Sequence, residues 1–167
     1  DPETGRCAIL FPQGVLGRNE EAEMRHRLIE MDLLECVLGL GPNLFYNSPM
    51  EAMILVGNTN KPDQRKGKVL FINGKDDVVN NKGQAFLSGN HIDRLYQAYR
   101  DFIDIPHFAK VASLNEIMEL NGNMNVNFYV KCDNSGSKLD FQESLRNWIT
   151  ASDALKDSMN ALLKECI

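Results

Sequence analysis

Four cysteines, three histidines and one tryptophan in 167 residues leave few ways to build a metal or redox centre. Cys7, Cys36, Cys132 and Cys166 are widely spaced and form no C-x-x-C, so neither a zinc site nor a dithiol pair is signalled. Cys7 and Cys36 sit in apolar runs and read as small buried thiols, in keeping with a reducing cytoplasmic setting. No stretch approaches the ~18 apolar residues of a spanning helix, and the opening "DPETGRCAIL" lacks the basic-then-apolar order of a signal peptide. No membrane partner is expected. His26, His91 and His107 have no carboxylate or cysteine at the spacing of H-E-x-x-H, so no metal ligands are assigned. There is no G-x-x-x-x-G-K-[ST] and no G-x-S-x-G, and "GLGPNL" has Leu44 where a dinucleotide cradle needs its third glycine. A net charge of -5 argues against a free-standing nucleic-acid binder working by electrostatics alone.

What is present is an alternating α/β pattern, with 43% hydrophobic residues, enough for one domain and an appendage. "RCAILFP" is an unbroken apolar run stopped by Pro12 and Gly14, which predicts a central strand buried on both faces. Asn19 is placed to cap a helix with an apolar stripe at Ala22, Met24, Leu28, Ile29 and Met31, and with i,i+4 pairs Glu21/Arg25 and Glu23/Arg27. Residues 33–40, "LLECVLGL", and "EAMILVGN" predict two further strands, and "KVLFI" predicts a fourth before Asn73-Gly74. Lys61, Arg65, Lys66 and Lys68 read as a solvated loop rather than as phosphate contacts. Asp76 and Asp77 stand in a turn-rich segment where solvation accounts for them. From Asn90, the positions Ile92, Leu95, Tyr96, Tyr99, Phe102 and Ile103 recur at helical spacing and predict a helix burying one side. "SLNE" at 113–116 is a capping box opening a short helix that Asn121-Gly122 ends.

Residues 132–138, "CDNSGSK", read as a linker, which divides the chain into 1–131, the linker, and a helical segment 139–167. In that segment Leu145, Trp148, Ser152, Leu155, Met159, Leu162 and Cys166 step by three and four, a heptad seam. Two readings stay open: the helix folds back on its own domain, or it engages a partner.

Between the second and third predicted strands two adjacent aromatics, Phe45 and Tyr46, stand among Pro42, Asn43, Asn47 and Pro49. From the residues alone, core packing is the better reading of this pair. The order "GRCAILFPQGVL", "RHRLIE", "LLECVLGL", "NLFY", "KGKVLFING", "FAKVASLNEI" and "MNVNFYV" resembles the modification subunit of type I restriction-modification systems, the adenine-N6 DNA methyltransferases. The likeness runs unbroken over about residues 5–131.

The resemblance implies the second half of a doubly wound, Rossmann-like sheet of the kind that binds S-adenosylmethionine, with an antiparallel edge hairpin made by residues 33–40 and 51–56. It implies methyl transfer to a flipped adenine in double-stranded DNA, with Phe45 stacking on the base, Tyr46 beside it and Asn43 shaping the loop. The family's Phe-x-Gly-x-Gly cofactor loop and Asn-Pro-Pro-aromatic tetrapeptide do not occur here. No catalytic residue is therefore assigned, S-adenosylmethionine is expected to bind mainly to a missing N-terminal half, and the fragment alone is expected to be inactive. Ser48-Pro49-Met50-Glu51 replaces the family's small residue and Ile-Pro, placing a carboxylate near the loop. The resemblance further implies that Leu145, Trp148, Leu155, Met159 and Leu162 meet the specificity subunit, with the restriction subunit a further partner. The alternative function is a noncatalytic module that joins subunits through this helix. A homodimer is one way to cover an open strand edge.

Overall fold

The computed structural model describes residues 1, 3–45, 48–81, 84–131 and 141–165, with side chains at 84, 141–144, 154, 157 and 160–165 left aside. The chain divides into two compact units, 1–132 and 133–167. In chain order the first unit contains β1 (Arg6–Pro12), α1 (Ala22–Glu30), β2 (Leu34–Leu40), β3 (Ala52–Asn58), β4 (Lys68–Gly74), β5 (Val79–Asn81), β6 (Gln84–Phe86), α2 (Gly89–Asp101), β7 (Ala109–Ser113), α3 (Leu114–Glu119) and α4 (Val126–Tyr129). The second unit is the 25-residue helix α5 (Phe141–Glu165). The expected linker lies outside the described residues.

Five strands form one mixed sheet in the order β1-β3-β2-β4-β7, and β5 and β6 form a separate hairpin. β2 and β4 pair in parallel, while β1/β3, β3/β2 and β4/β7 pair antiparallel. β1, β2 and β4 therefore run the same way, and their carboxyl ends lie at one edge of the sheet. The unbroken apolar run of β4 is explained by alternation between two cores. Val69 and Phe71 face the side of α1, α3 and α4, with Ile29, Ile117 and Val126, whereas Leu70 and Ile72 face α2, with Leu95 and Ala98. Phe71 stacks on Tyr129 with ring centroids 3.8 Å apart.

Several expectations are corrected. β1 is the outermost strand, six of its seven residues are exposed, and Cys7 is exposed with them. The physical reason is its place at the edge: among the described residues β1 pairs with β3 alone, and the helices pack mainly over β2, β4 and β7. The antiparallel hairpin forms at the expected residues, but β3 lies inside, between β1 and β2, and not at the outer edge. In α1, Asn19 makes no side-chain cap, and Arg25 does not pair with Glu21 as a surface residue would. Arg25 is buried and donates to the carbonyls of Val15, Arg18 and Gly122, while Glu21 pairs with Arg18. Burial draws the Arg25 guanidinium below its usual pKa. In α2, Leu95 and Ala98 are buried but Ile92 and Tyr96 are exposed, because no other element among the described residues covers that part of the stripe; the helix ends at Asp101 with Phe102 in the left-handed region, so Ile103 lies beyond it, exposed. The expected Glu23/Arg27 pair and the Ser113 cap form, the latter with Ser113 Oγ accepting from the Glu116 amide at 3.2 Å.

The loop before β4 is not a free cationic turn. Lys61 is buried and pairs with Asp32, and Arg65 pairs with Glu35 on β2. Glu35 is completely buried at a register shift between Leu34 and Cys36. Such a bulge re-aims a side chain, and here it sends Glu35 toward α2. The carboxylate accepts from Arg65 Nη1 at 3.0 Å, Tyr99 OH at 2.9 Å and Asn58 Nδ2 at 3.2 Å. Arg65 also lies over the rings of Tyr99 and Phe102. Burial pushes the Glu35 carboxyl upward, but the three hydrogen bonds and the Arg65 charge outweigh it, and the net shift is downward. Burial, and after it the hydrogen bond to Glu35 and the Glu35 charge, push the Tyr99 phenol up to about 12.

Because the folded carboxyl of Glu35 titrates below its ordinary value, its contribution is present above that ordinary value and is lost as pH falls through the lowered one. Glu35→Ala strands Arg65 and is expected to cost about 3 kcal/mol in urea unfolding at pH 7. Glu35→Gln is expected to flatten the loss of stability below about pH 4.5.

Candidate functional site

The chain leaving β2 at Leu40 crosses to β3 through residues 41–51, beside the turn that leaves β4 at Gly74. Ligands of open α/β sheets gather at the carboxyl ends of parallel strands, which directs attention to this loop. Gly41 is buried against that turn: a Cβ there would stand 2.5 Å from the Lys75 carbonyl oxygen and 2.7 Å from Val78 Cγ1. Asn43 follows with φ 61°, the left-handed region that asparagine tolerates better than most residues. Its carbonyl accepts from the Ala85 amide of β6 at 3.0 Å. Leu44 packs against the α2-side core together with Leu87. Phe45 then turns outward, 37% exposed, and its carbonyl accepts from the Ser48 amide.

Phe45 lines an apolar pocket of about 200 Å³ with Leu10, Phe11, Pro12, Met50 and Ala52. The pairing of Pro12 with Ala52 brings the end of β1 against the start of β3 and so assembles residues that are 40 apart in sequence. Ser48 and Glu51 are the polar side chains at its margin. Glu51 makes a 2.6 Å ion pair with Lys75, so its carboxylate is neutralised rather than projected freely. A larger apolar groove, about 430 Å³, lies between β1, β3 and α1 and includes Ile9, Met24 and Leu28. It lies on the face beneath α1 at the amino ends of β1 and β2, away from their carboxyl ends, and its polar side chains include those of Asp1, Arg6, Asn58 and Thr59.

The structure brings Asn43 and Phe45 together, while Tyr46 lies outside the described residues. No group of three His, Cys, Asp or Glu side chains able to hold a metal occurs among the described residues. Asp77, expected in solvent, is buried and pairs with Arg94 at 2.7 Å. Sequence reasoning missed the pocket partners Leu10, Pro12 and Met50 and the β5–β6 hairpin. A signal for the hairpin exists in "VVNNKGQAFL", where asparagine, lysine and glycine stand between the short apolar runs Val78-Val79 and Ala85-Phe86-Leu87.

In the second unit, Leu145, Trp148, Leu155 and Met159 are all exposed along α5, Trp148 at 68%. The side chain of Leu162 lies outside the described set.

Comparison with known proteins places these features in context. The family described as N-6 DNA Methylase matches residues 2–137. A type I restriction enzyme methylase subunit of Methanocaldococcus jannaschii, MjaVIII, is 35% identical over 142 residues, 83% of this chain and 25% of that protein. A second from the same organism, MjaVII, is 32% identical over 86% of this chain and 26% of that protein. The crystal structure of a type I restriction-modification methyltransferase subunit from Streptococcus thermophilus is 32% identical, with a TM-score of 0.71 over 77% of this chain and 27% of that one. The chain thus spans about a quarter of the length of the relatives it matches.

The left-handed backbone at Asn43 carries its own prediction. Asn43→Gly is expected to stay within about 0.5 kcal/mol of the parent in urea unfolding, whereas Asn43→Val, which is β-branched, is expected to cost about 1–2 kcal/mol.

Proposed function

The chain belongs to the N-6 DNA methylase family, and from that premise we propose that the longer protein containing it methylates adenine N6 in double-stranded DNA, with Phe45 stacking on the flipped base. The observation that carries the reading is Phe45 itself, held half-exposed over an apolar pocket at the carboxyl ends of β1 and β2. A buried core aromatic would have no reason to keep that exposure, and a flat base gains about 1–3 kcal/mol from such a platform. Leu10, Pro12 and Met50 complete the wall against which an extruded base rests. Tyr46 is proposed to flank it.

S-adenosylmethionine is the methyl donor proposed, but the described residues do not suit it. The pocket is apolar, its one carboxylate is occupied by Lys75, and no glycine-rich turn leads from a strand into a helix N-terminus around it. Cofactor binding is accordingly assigned mainly to the rest of the longer protein, and no step of methyl transfer to residues of this chain. The open edge of β1, with Ile9 and Leu10 exposed, supports pairing with a further strand from that remainder, or from a second copy.

A second reading, not exclusive of the first, rests on α5. Its exposed stripe of Leu145, Trp148, Leu155 and Met159 supports engagement of the specificity subunit, with the restriction subunit joining the same assembly. A cytoplasmic location follows from these partners, and no helix among the described residues is long and apolar enough to cross a membrane.

Transfer of labelled methyl groups to duplex DNA by the full-length protein with its partner subunits tests the first reading. Phe45→Ala is expected to lower kcat/KM about 5- to 150-fold, the range that one lost stacking contact allows, while Phe45→Trp retains most activity. Unchanged activity in Phe45→Ala would return the ring to a packing role. Leu155→Asp is expected to abolish co-purification of the specificity subunit while leaving the melting temperature of the first unit unmoved; retained assembly would remove α5 from the interface.

A further inference from the structure

The loop that carries Phe45 is held at Gly41, Asn43 and Glu51 by described residues of one stretch of chain, 74–81 and 84–87. Near its start, Gly41 lies so close to this segment that an added Cβ would be 2.5 Å from the Lys75 carbonyl oxygen and 2.7 Å from Val78 Cγ1. In its middle, the Asn43 carbonyl accepts from the Ala85 amide of β6 at 3.0 Å. At its end, Glu51 pairs with Lys75 at 2.6 Å. Leu44 and Leu87 pack against the same core cluster, so the two segments also share an apolar footing. The gripping segment is itself anchored. The Asp77 amide donates to the Gly74 carbonyl at 3.2 Å, and the Asp77 carboxylate pairs with Arg94 of α2, whose guanidinium lies 3.8 Å over the Phe108 ring. Ala85 is buried although the hairpin that bears it is mostly exposed, which marks it as the point of contact.

We propose that the 75–78 turn and the β5–β6 hairpin form a clamp that presets the Phe45 loop, making Lys75, Val78 and Ala85 positioning residues for the base-stacking ring. The inference rests on the reading of Phe45 given above. The clamp touches no substrate and acts through the loop. Its physical purpose is to settle the loop's conformation before DNA arrives, because ordering it on binding would consume the free energy that stacking supplies. The hairpin, which has only two three-residue strands and would be marginal alone, is stabilised by the same contacts.

The test uses the full-length protein assembled with its partner subunits, on duplex DNA carrying 2-aminopurine at the target adenine, whose emission rises when the base leaves the stack. Ala85→Pro removes the amide donor, Ala85→Gly keeps it, and Gly41→Ala drives a methyl group into the Lys75 carbonyl. Ala85→Pro and Gly41→Ala are each expected to lower both target-base emission and kcat about tenfold, with DNA dissociation constant and cofactor KM within about twofold, and Ala85→Gly to match wild type. A general loss of folding would move melting temperature and cofactor KM as well, and if Ala85→Pro does so, Gly41→Ala carries the same two outcomes. Wild-type emission and kcat in Ala85→Pro and Gly41→Ala, beside a loss of both in Phe45→Ala, overturns the clamp and leaves the stacking role standing. Full emission in Phe45→Ala overturns the stacking role, and the clamp with it.

Discussion

The parallel pairing of β2 with β4 is the constraint on which the rest of the structure depends. Gly39 registers with Asn73 and Leu40 with Gly74, so the two most buried strands of the sheet end at the same level. Each must then release polar chain at that level, because loop backbone cannot remain in an apolar interior without partners. The described parts of segments 41–51 and 75–86 consequently emerge side by side, joined by the Ala85–Asn43 backbone hydrogen bond and the Lys75–Glu51 ion pair. Gly74 permits this closeness: a Cβ there would meet the Gly39 carbonyl oxygen and Leu95 Cδ2, each at 2.9 Å. Antiparallel β3 then returns from the loop and pairs with β1, which brings Pro12 to Ala52 and closes the pocket wall.

Charge is distributed unequally between the two ends of the sheet. At the amino end, Glu35 and Asp32 take up Arg65 and Lys61, so two residues that the sequence placed in a solvated loop are spent on structure. Glu35 is fully buried, so removing its partner costs several kcal/mol, whereas the exposed Glu23/Arg27 pair is worth at most about 1 kcal/mol. At the carboxyl end, Lys75 and Glu51 are each partly exposed and cancel one another beside the pocket. An acidic chain can therefore present a neutral, apolar face where a polyanion is to approach. On the proposed function, long-range attraction of DNA falls to the rest of the longer protein or its partners, in keeping with the net charge of -5.

Much of the fold was legible because its determinants are local. "KVLFI" between a glycine and Asn73-Gly74 reads as a buried strand, and Ser113 three residues before Glu116 reads as a cap; both form as expected. β1 misled because an unbroken apolar run looks the same whether its cover comes from this chain or from elsewhere. The stripe on α2 misled for the same reason at Ile92 and Tyr96. Glu35 gave only the weak sign of a lone charge inside "LLECVLGL", since its partners Arg65 and Tyr99 lie 30 and 64 residues away. Phe45 and Asn43 were visible as an aromatic and a turn residue between two strands. Their neighbours Leu10, Pro12, Met50 and Ala85 were not, because strand pairing and a single backbone hydrogen bond bring them there, and neither leaves a periodic trace in sequence.

The magnitudes involved explain why a site with so little chemistry needs so much support. One aromatic platform offers about 1–3 kcal/mol to an extruded base. Fixing the backbone of one loop residue costs about 1–2 kcal/mol, so a loop that ordered even two residues on binding would cancel the gain. On the proposed reading, stacking at Phe45 is useful only if the loop is already in its final conformation, with that cost met by folding of the sheet rather than by binding of DNA. The left-handed backbone at Asn43 fits this view, since a conformation that most residues avoid persists only where surrounding contacts enforce it. Here those contacts are the Ala85 amide, the wall of Lys75 and Val78 against Gly41, and the Glu51–Lys75 pair, all of which the parallel register of β2 and β4 brings within reach.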